Sequence, residues 1–490
     1  MKELPIHIQL HPESDITLYE QIYEYIRNEI RAGNLLRNEK LPSARFLAEY
    51  LQVSRTTVDM AYDQLVSEGY LEARPRRGYF VSAYEELYTI GATVRGEISG
   101  ASGQSNEPAC RYDFSPNAID MRHFPYATWK KITKSILVDA NSKMFSLGEP
   151  QGDLQLRTTI CRYLHGSRGV NCGPEQIIIG AGNDYLLLLL EKILGRHIHV
   201  AMENPTYVRA YQIFRSCAYP VSFVPVDESG MRVDCLRQTD AQVAYVMPSH
   251  QYPTGVSMPI GRRMELLKWA SEEEDRYLIE DDYDSEFRYK GKPLPSLQAS
   301  DRDGRVVYIG TFSKAIAPAI RISYMVLPYP LLERYRSRCS FYSSTVSRID
   351  QTILNEFIQD GYFERYLNKM RKQYREKHDL ILNELKPFEK AFRISGSNAG
   401  LHVILSDKKG RAEEELARMA AKVDVKVYRM QDFRMKDSDT EDAGQDDFRQ
   451  EPSGEEQAAA EPAMLILGYG ALIPEEIQQG IALLKKVWLP

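Results

Sequence analysis

The sequence predicts an α/β protein whose larger part is built on a mostly parallel central sheet, preceded by a small helical module that ends in two strands. Two observations carry that expectation. From residue 112 onward, short apolar runs such as "QIIIGAG", "HIHVAMENP", "VAYVMPS", "RYLIEDDYD" and "RVVYIGTFSK" each close on a polar or Gly-rich turn and alternate with amphipathic helical stretches. Strands buried on both faces and connected by helices read this way. Residues 1–81, in contrast, show short helical periods followed by two strand-like runs.

At 490 residues and 43% apolar content the chain can fill at least two cores. A formal net charge of −6 gives no overall attraction to nucleic acid, so any such binding must come from a local patch. The opening "MKELPIHIQL" lacks a signal-peptide run, and nowhere do eighteen apolar residues follow one another. A cytoplasmic protein without a membrane partner is expected. The 6 cysteines lie far apart in sequence and read as reduced packing residues, and no metal site is expected.

Within the first module, "TLYEQIYEYIRNEIRAG" sets Leu18, Ile22, Tyr25, Ile26 and Ile30 at helical spacing, with Thr17 as cap and Gly33 as stop. "LPSARFLAEYLQVSRTTVDMAYDQLVSEGYL" then gives a short helix from Pro42 and Ser43, a tight turn at "QVS", and a second helix over about 55–67 with Val58, Ala61, Tyr62 and Leu65 inward. Arg55, Thr56 and Thr57 are left outward at its N-terminal end, where a helix-turn-helix meets base edges in the major groove. "GYLEARPRRGYFV" adds a hairpin whose turn carries Arg74, Arg76 and Arg77 for phosphates or the minor groove. Residues 82–111 read as a linker rich in Gly, Ser, Ala and Glu, and 434–462 as a flexible acidic insertion within the 112–490 domain.

The larger part carries a constellation suited to pyridoxal 5'-phosphate. A lysine holding an aldehyde cofactor must be buried and nucleophilic, and the cofactor must be held by its phosphate and ring nitrogen. Lys314 follows an apolar strand at a Thr-Phe-Ser turn, where Thr311 and Ser313 offer hydroxyls to a phosphate and Arg321 offers a fork of donors. Asp281, at the end of another strand, can pair with a protonated pyridine nitrogen, a charged bond contributing on the order of 1.5–3 kcal/mol. Tyr283 is placed to give its phenol to the ring's 3-oxygen, and Tyr207 to stack on the ring. "GAGNDYLLLLL" brings Gly180, Gly182 and Asn183 to a helix N-terminus, which favours phosphate. Asp282, Asp284 and Glu286 have no chemical role in this reading and are expected in a solvated loop.

Residues 10–81 resemble the GntR-type winged helix, which implies Arg45, Arg55, Thr56, Thr57, Arg76 and Arg77 as contacts to a double-stranded DNA operator. Residues 112–490 resemble fold-type-I aminotransferases, and the fusion resembles the MocR subfamily of GntR regulators, most closely its GabR-like members, through "IEDDYDSEF", "GTFSK", "IRISYMVLP", "PSHQYPTG" and "NAGLH". The resemblance implies Lys314 as the aldimine lysine, a head-to-tail homodimer, and a regulator in which an amino-compound effector forms an external aldimine and alters DNA binding. It also implies Arg209 as a carboxylate-binding residue. The chain departs from the enzymes where they hold the substrate carboxylate with an arginine on the last strand, having Ile466-Leu467-Gly468-Tyr469 instead, and it has Tyr252 where they have asparagine before the turn proline. At the position of the regulators' other effector arginine stands Asp432, so an effector with a cation or hydroxyl near that residue is expected. A working aminotransferase and a regulator that senses the cofactor itself are the alternatives.

Overall fold

The structure, a computed structural model, describes residues 8–11, 13–14, 16–82, 110–138, 144–289, 294–396, 399–435 and 462–489. The expected linker and acidic insertion lie outside these residues except at their ends. The chain divides into two compact units, Met1–Asn106 and Glu107–Pro490.

In the first unit, helices Leu18–Arg31, Ala44–Leu51 and Arg55–Ser67 precede an antiparallel hairpin of Leu71–Arg74 with Gly78–Val81. Ile22, Ile26, Leu47, Val58, Ala61, Tyr62 and Leu65 are fully buried between them. The second and third helices are started by serine caps: Ser43 accepts from the Phe46 amide at 3.2 Å, and Ser54 from the Thr57 amide at 3.1 Å. Gln52 adopts a left-handed conformation (φ 54°) that closes the first of these helices and turns the chain toward the next.

In the second unit, an eight-stranded sheet runs in the spatial order Ile177–Gly180, Ser323–Val326, Val306–Thr311, Tyr277–Asp282, Val243–Val246, Val200–Asn204, Val221–Asp227, Gly230–Met231. The five strands from Val306–Thr311 to Val221–Asp227 are mutually parallel. Ser323–Val326 and Gly230–Met231 pair antiparallel with their neighbours. Alternate residues serve opposite cores, as the two-residue strand period requires. Ile178, Val307 and Ile309 pack with helices Asn183–Leu194 and Val208–Ser216, whereas Ile177, Ile179 and Tyr308 pack with Leu154–Arg168 and the C-terminal half of the chain. A smaller sheet of Phe392–Ser395, His402–Asp407, Met464–Gly468 and Tyr428–Arg429 completes the unit.

The same alternation sorts the acids at the end of Tyr277–Asp282. Asp281 shares the face of Tyr277 and Ile279, while Glu280 and Asp282 share that of Leu278. Glu280 accepts from the amides of Leu297 and Gln298 at 2.7 and 2.9 Å. Asp282 accepts from Arg168 Nε at 2.8 Å, Tyr308 at 2.5 Å and Ser285 at 2.9 Å. The expected solvated loop is therefore corrected: Asp282 and Asp284 are buried, and Glu286, half-buried, accepts from Tyr163 at 3.0 Å. The five acids are withdrawn from water because separate elements bring donors to them.

Arg168→Leu would leave Asp282 charged and buried without its guanidinium, a loss of about 3–5 kcal/mol. A chemical-denaturation midpoint well below that of the unaltered chain is expected.

Candidate functional site

On the N-terminal unit, Arg45, Arg55 and Thr56 are exposed at the helix-turn-helix, and Arg76 and Arg77 at the tip of the hairpin. Arg45 pairs with Glu49 at 3.5 Å and Arg55 with Asp59 at 3.3 Å. Exposed pairs of this spacing contribute only tenths of a kcal/mol, so both guanidinium groups can be recruited by a polyanion. Two expectations change. Thr57 is half-buried with its hydroxyl 2.7 Å from Ser54 Oγ, and it works as part of the cap. Arg74 lies 4.5 Å over the Phe80 ring and donates to Asn38 at 2.9 Å and Glu72 at 3.0 Å, so it braces the hairpin.

In the larger unit a cavity of about 130 Å³ gathers the expected Lys314, Asp281, Tyr283, Tyr207, Thr311, Ser313, Arg321, Asn183 and Arg209. Lys314 lies just past the strand Val306–Thr311, and its Nζ donates to Pro116 O at 3.2 Å and sits 5.1 Å from the Tyr283 ring centre. Burial holds this amine below its ordinary range, partly opposed by the charge of Asp284. Asp281 accepts from the Asn183 amide at 3.4 Å and from Tyr245, a partner that the sequence reading missed. Burial pushes its carboxyl up to about 7, and no ion pair to it occurs among the described residues. A buried acid in that state is matched to a cationic ring nitrogen.

Tyr283 Oη lies 2.9 Å from His250 Nδ1, which is also 2.9 and 3.2 Å from the Asp284 oxygens. Burial would raise the Asp284 carboxyl, but His250 outweighs it and the net direction is down. An ionised carboxylate only accepts, so Nδ1 carries the hydrogen and Tyr283 oxygen can only accept from it. The phenolic hydrogen can turn to Asp284 or to a bound group, and burial followed by the Asp284 charge keeps it on the ring oxygen by raising the phenol well above its ordinary range. His250 and Asp284 are thus positioning residues. Both lie in motifs quoted above, but sequence reading assigns neither this role, because the contact joins residues 34 apart.

At the opposite end, Gly182 (φ 93°) caps the helix Asn183–Leu194, and a Cβ there would lie 2.4 Å from Arg321 Nη2. Arg321 and Arg209 both face Asp184, at 3.1 and 3.5 Å. This carboxylate, also unforeseen, occupies the acceptor role that an anion would take at a helix N-terminus. Thr311 accepts from Ser323 at 2.8 Å and from the Ser313 amide at 3.2 Å, which shapes the turn before Lys314. Asp432 is not among the lining residues; Arg429 holds it with bonds of 2.6 and 3.1 Å. Its expected part in effector binding is not supported by this placement. Tyr252 and Asn117 line the cavity as well.

The model of the family described as bacterial regulatory proteins, gntR family, matches residues 18–81, and that of aminotransferase class I and II matches residues 113–442. Over 475 residues the chain is 37% identical to the HTH-type transcriptional regulator YdeL of Bacillus subtilis, covering 97% of each. It is 30% identical over 493 residues to the "Probable rhizopine catabolism regulatory protein MocR" of Rhizobium meliloti, covering 98% of this chain and 95% of the relative. The chain belongs to the MocR-type regulators of the GntR family. Another relative of this MocR-type chain is the HTH-type pyridoxine biosynthesis transcriptional regulator PdxR of Corynebacterium glutamicum, 33% identical over 83% of this chain and 87% of the relative. The fold is also that of the multiple substrate aminotransferase from Thermococcus profundus, with a TM-score of 0.65 at 23% identity over 78% of this chain and 92% of that one. The fold of the MocR type is thus an aminotransferase scaffold joined to a DNA-binding helix-turn-helix.

Two outcomes test this geometry. In protein freed of any aldehyde ligand, the folded Asp281 carboxyl titrates near 7 against an ordinary 3.8, so the folded state binds more protons between those values. Its contribution to stability is present below about pH 4 and lost as pH rises through about 7; the melting temperature falls across that window, and Asp281→Asn makes the fall shallower. Glu280 and Glu286, pushed by burial to about 7, and Glu203, pushed by burial to about 8, add slope of the same sign. On the DNA unit, Arg55→Ala should weaken operator binding by about 1–3 kcal/mol, read in a mobility-shift titration.

Proposed function

We propose that the larger unit binds pyridoxal 5'-phosphate at Lys314 and senses an amine that bears a carboxylate, and that occupation of this cavity changes how the N-terminal unit holds its operator. The convergence of Lys314, Asp281, Tyr283 and Arg321 in one cavity carries this reading. The residues fit the group: a buried carboxylate lacks a cation, and a glycine leaves room beside Arg321 that any side chain would fill. Bound there, the cofactor would supply an aldehyde carbon that bonds covalently to amines and a ring that withdraws electrons from them.

The roles of the chain's own groups follow. Lys314 presents a buried amine with a weakened hold on its proton. Asp281 would keep the pyridine nitrogen protonated, and Tyr283, oriented by His250, would donate to the 3-oxygen. Arg321, Ser313, Thr311, Gly182 and Asn183 would receive the phosphate, which displaces Asp184 from Arg321. The carboxylate of the effector would take Arg209, also from Asp184, while Tyr207 and Tyr252 wall the remaining space. Ile466 is fully buried in the last strand, where an enzyme of this fold would place its carboxylate-binding arginine, which favours sensing over turnover.

The net charge of the chain gives one winged helix little general hold on DNA, and we assign the active species as a head-to-tail homodimer reading two half-sites. The effector shifts the equilibrium between DNA-bound arrangements only through its difference in affinity for them.

Borohydride reduction of protein saturated with pyridoxal phosphate, followed by peptide mass spectrometry, should place a phosphopyridoxyl group on Lys314, and Lys314→Ala should abolish both this label and the visible absorbance band. An unlabelled Lys314 would overturn the proposal. A screen of amino acids and related amines should find one that moves the band and the operator footprint together, with Arg209→Ala weakening its effect at least tenfold. A footprint that responds to the cofactor alone would identify a cofactor sensor instead.

A further inference from the structure

Along the chain the cysteines stand apart, but folding brings Cys161 and Cys172 together with His165. Cys161 and His165 lie one turn apart on the helix Leu154–Arg168, so both side chains project from one face. Gly169 (φ 66°) closes that helix with its amide on Leu164 O, and the chain folds back to set Cys172 against the same face. The Sγ atoms of both cysteines and a ring nitrogen of His165 all lie within 4.8 Å of one another, with Cys161 Sγ 3.9 Å from His165 Nε2.

We propose that Cys161, His165 and Cys172 form a binding site for zinc, a site that shares no residue with the cavity around Lys314. Zn–S bonds of about 2.3 Å and Zn–N bonds of about 2.0–2.1 Å place tetrahedral ligands roughly 3.5–3.8 Å apart. The observed spacing needs only small side-chain adjustments to meet that requirement. Cys161 Sγ and His165 Nε2 both contact Cys172 O, at 3.2 and 2.9 Å, and the Cys172 amide lies 3.3 Å from Nε2, so metal binding would exchange these hydrogen bonds for ligand bonds.

The ligand chemistry selects the cation. Two thiolates and an imidazole suit zinc, whereas magnesium and calcium require oxygen donors. Both cysteines are 7% exposed, while His165 is exposed, which leaves a route in and a fourth position for water. Packing accounts for the buried thiols, and contacts with the Cys172 backbone account for the turn of the imidazole; the gathering of three metal-ligating atoms within 4.8 Å is what points to a cation. The three residues follow the pattern C-x3-H-x6-C, in which the helical pair gives two ligands at a fixed distance and the loop after the glycine closes the third. The cost is the removal of two protons from buried thiols, which the cation offsets by binding the thiolates directly.

The test uses the full chain, kept reduced, loaded with zinc and freed of excess metal. One zinc per chain is expected, and X-ray absorption at the zinc edge should find two sulfur neighbours at about 2.3 Å. His165→Ala, an exposed change that leaves the core intact, should weaken zinc retention in a chelator competition at least about tenfold. Cys161→Ala combined with Cys172→Ala should remove the sulfur neighbours. Zinc bound without sulfur neighbours, or retained equally by His165→Ala, would overturn the site. The visible band of the Lys314 cavity is expected to survive in His165→Ala, so failure of the zinc site and failure of the cofactor reading are separable.

Discussion

Withdrawing five carboxylates from water within residues 280–286 is the constraint on which the larger unit depends. An isolated buried carboxylate costs several kcal/mol even after relaxation, so each of the five needs its own compensation. Glu280 takes two backbone amides, Asp282 a guanidinium and two hydroxyls, Asp284 an imidazole and Glu286 a phenol. Those donors come from Leu154–Arg168, the 249–250 turn, Val306–Thr311 and the 294–298 loop, so meeting the electrostatic demand also fixes the positions of elements far apart in sequence. Asp281, like Glu280 and Glu286, has only neutral donors, and of these three it is the one that lines the cavity.

This sorting follows from strand geometry. Successive residues of Tyr277–Asp282 face opposite cores, so the same short segment supplies a ligand-facing acid on one side and two structural acids on the other. A one-residue slip in register would exchange them, placing Asp281 against Arg168 and presenting Asp282 to the cavity. Parallel pairing with Val243–Val246 and Val306–Thr311 on either side holds the register. Precision in the cavity is thus a property of the sheet.

What could be read from the sequence was what local pattern encodes. Apolar runs gave the parallel strands, Ser54 and the inward row Val58, Ala61, Tyr62 and Leu65 gave the third helix, and the spacing of Lys314 and Arg321 gave one wall of the cavity. The misses are pairings over long separations. Nothing near Asp282 announces Arg168, and nothing near Tyr283 announces His250, which sits 33 residues before it. Asp432 was expected beside an effector, but Arg429, three residues before it, holds it. Arg74 read as one more hairpin cation until the ring of Phe80 was found beneath it.

One contact of Lys314 links chemistry to chain path. Its amine holds Pro116 O, in the segment that follows Tyr112–Asp113, whose own backbone is tied to Asp424 and Lys426. Just before it, Ser115 O presses so closely on Gly468 that even a methyl group would not fit. An amine drawn away into another bond must release that carbonyl, so the Pro116 peptide would need a new donor, and its neighbour Asn117 already lines the cavity in which that donor would have to be found.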